Sequence, residues 1–193
     1  MGQKAGPIGD ILKYKRSQWP RFHAKAEKLL ASNKPRIFIV TPIQGAEHGD
    51  QDQQRIYKEY NDRFEVIETS ISANGGVAIR IDREKPMGEL VSRIKREIHD
   101  ALFIVADLTD ERPSCYFEAG YAEALDKSVL YIASEQSVVH PGSPTKIHFD
   151  VHMNVQFFTN HKELLEKLNS TIAKNHKLLF GSNAVDDAAV VKP

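Results

Sequence analysis

Glu118, in the run Ser114-Cys115-Tyr116-Phe117-Glu118, is the residue whose type and spacing best suit it to chemistry. It stands three residues before Tyr121, four before Ala122 and seven before Leu125. A helix over 116–125 therefore turns its carboxylate toward the packed side and away from bulk water. A carboxylate in the first turns of a helix feels the positive end of the dipole and stays ionised while poorly solvated, which suits a nucleophile or an electrostatic stabiliser. The plainer alternative is a Glu118 that caps its own helix or pairs with a core arginine. Glu123, four residues before Lys127, has the spacing of an ordinary exposed ion pair. Cys115 at the same helix start admits a thiolate nucleophile, but no histidine is placed by sequence to serve it.

A βαβ unit must position these groups. The apolar run 102–106 predicts a strand buried on both faces and ending at Asp107, Ser114 stands at the expected N-cap, and a second apolar run covers 129–133. Upstream, 36–40 predicts the first strand, which runs into Thr41, Pro42, Ile43, Gln44 and Gly45. Proline and glycine force a turn there, at the strand end where ligands of open α/β sheets collect. The polar stretch after it, over 43–54, is expected to close on ligand as a lid. Ile56, Tyr60, Phe64, Ile67 and Ile71 mark one face of a helix over 53–73 that stops at Asn74-Gly75-Gly76. Strand 77–81, a charged connection over 82–86 and a helix over 87–100 follow. Residues 134–146 are too broken by proline and glycine for regular structure, and are expected to overhang the site. A strand near 155–158 and a helix over 161–176 complete the core. Strands alternating with helices predict an α/β, flavodoxin-like (Rossmann-like) three-layer fold with a five-stranded parallel sheet of order 2-1-3-4-5. In that order Thr41 to Gly45, Asp107, Leu108, Thr109 and the Glu118 helix, with Ser114 and Tyr121, converge on one crevice.

The run Ala106-Asp107-Leu108-Thr109 through Tyr116-Phe117-Glu118-Ala119-Gly120 to Asp126-Lys127-Ser128-Val129 resembles the central motif of the nucleoside 2-deoxyribosyltransferase-like superfamily, which includes TIR-like nucleotide-binding relatives. The resemblance implies the same fold over roughly 35–168, with Glu118 on the glutamate that attacks the anomeric carbon of a nucleoside and Asp107 on the aspartate that helps hold the substrate. Where the transferases favour Asp-x-Gly-Thr, this chain has Arg112, Pro113, Ser114 and Cys115. Two functions follow as expectations. One is an N-glycosidic enzyme, a deoxyribosyltransferase or N-glycoside hydrolase, with Glu118 and Asp107 catalytic and Thr41, Pro42, Ile43, Gln44, Gly45, Leu108, Thr109, Ser114 and Tyr121 binding substrate. The other is a TIR-like module of prokaryotic defence or signalling that binds or cleaves a nucleotide or NAD. The expected partner is a small-molecule nucleoside, nucleotide or NAD, and no cofactor is implied.

Composition narrows the field. The 193 residues suit one α/β domain, over 35–180, with a helical arm over 1–34 and a flexible tail over 181–193. Lys plus Arg and Asp plus Glu both number 26, so no basic field advertises a nucleic-acid polymer or a membrane surface. One cysteine and no signal-like segment point to the cytoplasm. Trp19 and Phe22 in the arm suggest self-association, consistent with the homo-oligomers of the resembling family. His148, Asp150 and His152 alternate, but no further ligand set accompanies them, and no metal is expected.

Overall fold

The computed structural model describes residues 34–42, 45–81, 87–138 and 147–181, all but Lys34 within the unit Pro35–Pro193. The expected arm, the charged connection 82–86, most of the stretch 134–146 and the tail past 181 lie outside the described residues. Strands β1 (Arg36–Val40), β2 (Val77–Ile79), β3 (Phe103–Asp107), β4 (Val129–Ser134) and β5 (Val155–Phe158) form one parallel sheet of order β2-β1-β3-β4-β5. The register pairs Phe38 with Ile79, Ile39 with Val105, Val105 with Leu130 and Ile132 with Gln156.

Alternation along the strands feeds two cores. Ile37, Ile39, Phe103, Val105 and Ile132 face one side. There they meet Ile67 and Ile71 of helix α1 (Gln51–Ala73) and Leu164, Leu168 and Ile172 of helix α6 (His161–Lys174). Phe38, Val40, Ile104, Ala106 and Tyr131 face the other, toward Ile98 of helix α2 (Met87–Asp100) and Ala119 and Ala122 of helix α3 (Pro113–Glu123). Because both faces are covered, the stretches 37–40, 103–106 and 129–133 read as unbroken apolar runs. The short helices α4 (Glu135–Val138), α5 (Phe149–His152) and α7 (His176–Phe180) complete the described chain.

Several boundaries differ from expectation, each for a local reason. Helix α1 starts at Gln51, two residues early, because Asp50 caps it by accepting from the Gln53 amide at 2.9 Å. Strand β2 stops at Ile79, although Ile81 is still buried. Strand β3 takes in Asp107 and leaves out the half-exposed Leu102. Ser114 is not the N-cap: Arg112 holds that place without a side-chain bond and Pro113 opens the helix. Proline has no amide hydrogen to lose and a preset φ there. The chain leaves α3 through a left-handed Asp126 (φ 57), with the Lys127 amide donating back to the Ala122 carbonyl at 3.1 Å. That turn separates Glu123 from Lys127. The Tyr131 hydroxyl donates to Glu123 at 2.8 Å, and the Lys127 ammonium donates to the Ala101 carbonyl at 2.7 Å. The closing helix breaks at Asn175, and regular structure reaches into 134–146 as α4.

Gly45 ties the first loop to α1. Its φ is +73, and a Cβ there would lie 2.4 Å from both the Gln53 carbonyl oxygen and the Tyr57 amide nitrogen. Gly45→Ala combines left-handed strain with a backbone clash, so it is expected to destabilise the fold by about 1–3 kcal/mol, read from the midpoint of urea unfolding. An unchanged midpoint would show that this loop does not rest on α1.

Candidate active site

The strand that precedes the Glu118 helix ends in a buried polar network. Asp107 is 1% exposed and both its oxygens are engaged: Arg63 Nε donates to Oδ2 at 2.9 Å and the Thr109 amide donates to Oδ1 at 2.9 Å. Arg63 is as deeply buried, donates from Nη1 to Glu59 at 2.8 Å, and lies over the Tyr60 ring at 4.3 Å. Burial opposes its charge, but the Asp107 carboxylate outweighs that and leaves the guanidinium pKa raised. The Tyr60 hydroxyl donates to Asp110 Oδ2 at 2.5 Å, and the Ser134 amide donates to Thr109 Oγ1 at 2.9 Å. The turn between β3 and α3 is thereby held by α1 on one side and β4 on the other. It needs that support: Asp110 (φ 65) and Glu111 (φ 50) are both left-handed, a region that strains side chains other than glycine.

Across the sheet, α3 buries Cys115, Ala119 and Ala122 and turns Glu118 into a cavity of about 320 Å³. Phe38, Ile39 and Thr41 close it from β1, and Arg80 and Ile81 from just beyond β2. Leu90, Val91, Ile94, Lys95 and Ile98 line it from α2, and Ser114, Phe117, Glu118 and Tyr121 from α3. Most of this wall is apolar. Burial raises the Glu118 carboxyl pKa from 4.5 to about 7, and no charge or hydrogen bond among the described residues offsets it. The dipole argument, which favoured an ionised carboxylate, is outweighed by desolvation. Arg63, the buried arginine of the described residues, pairs with Asp107 and not with Glu118. Burial, followed by the charges of Asp107 and Glu118, pushes the Cys115 thiol well above its ordinary value, which argues against a thiolate nucleophile.

Of the expected site residues, Thr41, Ser114, Glu118 and Tyr121 share the cavity. Pro42 is buried outside its lining, Gly45 backs onto α1, and Ile43 and Gln44 lie outside the described residues. Asp107, Leu108 and Thr109 have their side chains in the core, where the first and last hold the turn. None of these three side chains is among the residues that line the cavity. The lid expected over 43–54 is shortened, since 51–54 are helical and the Ala46 amide donates to the Gln53 carbonyl at 3.2 Å. Sequence reasoning missed Arg63, Arg80, Lys95 and the α2 wall. Arg63 had a signal: it sits inside the apolar stripe of α1 between Tyr60 and Ile67, where a lone charge needs a buried partner. Among the described residues no three His, Cys, Asp or Glu come together as a metal site. His148 Nδ1 pairs with Asp150 at 3.0 Å. No helix among them is long and apolar enough to cross a membrane.

A parallel sheet of order 2-1-3-4-5 between two helical layers, with a glutamate helix at the carboxyl edge of its central strands, is a flavodoxin-like, three-layer α/β fold, and solved structures share it. The chain matches the solved structure of a CMP N-glycosidase, BcmB, from Clostridium botulinum with a TM-score of 0.50 and 16% identity, over 70% of this chain and 98% of that one. It also matches a 2-deoxyribosyltransferase from Leishmania mexicana with a TM-score of 0.48 and 17% identity, over 74% of this chain and 99% of that one. No protein-family model matches the chain, and no curated protein is significantly similar to it in sequence.

Proposed function

We propose that the chain is an N-glycosidic enzyme in which Glu118 is the nucleophile. The observation that carries this reading is a half-buried carboxylate without an ionic partner among the described residues, facing a ligand-sized apolar cavity at the carboxyl edge of the sheet. A Glu118 oxygen forms a bond to the anomeric carbon as the carbon–nitrogen bond breaks. The bonding pair leaves with the base, which takes up a proton. Water or a second base then displaces Glu118 from the glycosyl ester and restores the carboxylate. The same desolvation that makes Glu118 costly to ionise strengthens its attraction to positive charge developing on the sugar ring. Asp107 enters as a positioning residue: it holds the turn from which α3 departs. The N-glycosidase activity of the structurally similar protein supports the reaction class, and the substrate is a nucleoside or nucleotide.

The test is incubation with nucleosides, nucleoside monophosphates and NAD, with free base followed by chromatography. Release of base from at least one of them, abolished in Glu118→Gln, is expected. Saturable binding of NAD or a nucleotide without any cleavage would replace the enzyme with a nucleotide-holding module. The pH profile gives a second check. A nucleophile must be ionised, so the single-turnover rate of base release is expected to rise as pH passes through about 7 and to level off above it. A rate that falls across the same range would make Glu118 an acid and sink its nucleophilic role.

A further inference from the structure

We propose that Tyr60 is a positioning residue for the reaction at Glu118: its hydroxyl latches the turn between β3 and α3 in a left-handed conformation, and that turn sets where α3 holds the nucleophile. This rests on the reading of Glu118 given above.

The turn is costly to hold. Asp110 (φ 65) and Glu111 (φ 50) stand side by side in the left-handed region, which is unfavourable for residues with a Cβ and persists only where the surrounding structure enforces it. Tyr60 supplies that enforcement from another element. It lies 50 residues back, on α1, and donates to Asp110 Oδ2 at 2.5 Å. Its ring is buried and cannot swing away, because the Arg63 guanidinium lies over it at 4.3 Å and is itself held by Asp107. Asp107 and Asp110 bracket the start of the turn, so the four side chains close a ring around it. Burial, reinforced by the bond to Asp110, raises the phenol pKa, and the hydroxyl keeps the proton it donates.

The turn leads into α3 at Pro113, and Glu118 follows in the second turn of that helix. The buried face of α3 is Cys115, Ala119 and Ala122. Side chains this small make shallow ridges, so packing on the sheet fixes the helix along its own axis only weakly. Its far end is tied through Glu123 to the Tyr131 hydroxyl. Its near end has the turn and one long bond, from the His148 amide to the Tyr116 hydroxyl at 3.2 Å. A turn that relaxes therefore shifts the end that carries Glu118, and a displacement of about 1 Å costs on the order of a hundredfold in rate. Neither Tyr60 nor Asp110 lines the cavity, so the effect is on the placement of Glu118 and not on contact with substrate.

The experiment follows base release from CMP, adenosine and NAD by the full chain, in single turnovers at varied substrate concentration. Tyr60→Phe removes one hydroxyl and is expected to slow the saturated rate by about ten- to a hundredfold, with the half-saturating concentration little changed. Asp110→Ala removes the acceptor at an exposed position and is expected to do the same, which keeps the test available if Tyr60→Phe fails to fold. The deciding variant combines Tyr60→Phe with Asp110→Gly. Glycine adopts the left-handed φ freely, so the turn needs the latch less and most of the lost rate is expected to return. Hydrogen exchange over 109–118 is expected to quicken in Tyr60→Phe and to slow again in the double variant. A double variant as slow as Tyr60→Phe, or parental rates in both Tyr60→Phe and Asp110→Ala, would overturn the assignment and leave Glu118 as the nucleophile. If the parental protein releases base from none of the three compounds, the reading of Glu118 fails and the role of Tyr60 falls with it.

Discussion

Replacing Glu118 by glutamine is expected to slow base release by roughly 10³-fold or more, because an amide of nearly the same shape cannot form the glycosyl ester. Loss of a contact that only orients substrate costs on the order of a hundredfold, so the size of the effect separates the two roles. The same variant carries a stability signature of known sign. The folded-state carboxyl pKa is raised from 4.5 to about 7, so the folded protein holds this proton more tightly than the unfolded chain does. Its favourable contribution is full below 4.5 and is lost as pH climbs through 7. Glu118→Gln has no such proton to lose. It is expected to match the parental protein near pH 4 and to exceed it by about 1–2 kcal/mol at pH 8, allowing for water that reaches the carboxylate through the cavity. Thermal melts at the two pH values measure the difference. A variant that is less stable at both and still cleaves at the parental rate would make Glu118 a structural residue.

Arg63→Met is expected to be the most destabilising substitution among those considered, at about 3–5 kcal/mol, because it strands the Asp107 carboxylate in the core without its cation. Adding Asp107→Asn should restore much of the loss, since the amide oxygen still accepts from the Thr109 amide while no buried charge remains. Urea unfolding of the two single variants and the double variant yields the coupling directly. A cost under about 1 kcal/mol for Arg63→Met would mean that water screens the pair and that the β3–α3 turn is held by other means.

The parallel sheet was legible because strand interiors covered on both faces must be apolar, and 37–40, 103–106 and 129–133 are. Helical crossovers between consecutive strands make them parallel, and the order 2-1-3-4-5 is the one the flavodoxin-like class and the family resemblance imply. Glu118 stood out because a carboxylate three and four residues before Tyr121 and Ala122 shares the packing side of its helix. Arg63 and Asp107 were hidden as partners: they are 44 residues apart, and only the folded sheet brings them within reach. The α2 wall was hidden differently. Leu90, Ile94 and Ile98 form one stripe whose spacing is the same whether it faces a core or a cavity, and here it faces both. Glu123 and Lys127 were misjudged because the four-residue rule holds only inside a helix, and α3 ends at Glu123.

The Ser70 hydroxyl on α1 donates to the Asn169 side-chain oxygen on α6 at 2.7 Å, across 99 residues of chain. These two helices, with Leu179 of α7, pack on one face of the sheet, so that face has no complete shelter until α6 and α7 have been synthesised and have docked. A ribosome making this protein in order releases β1, whose two neighbours are β2 and β3, long before either is finished. Ile37 and Ile39 wait longer still for the second of their covering helices. Assembly of this kind depends on distant contacts and is slow compared with local helix formation. During that interval the growing polypeptide displays bare strand edges and aliphatic side chains, the surface that chaperones bind and that favours aggregation.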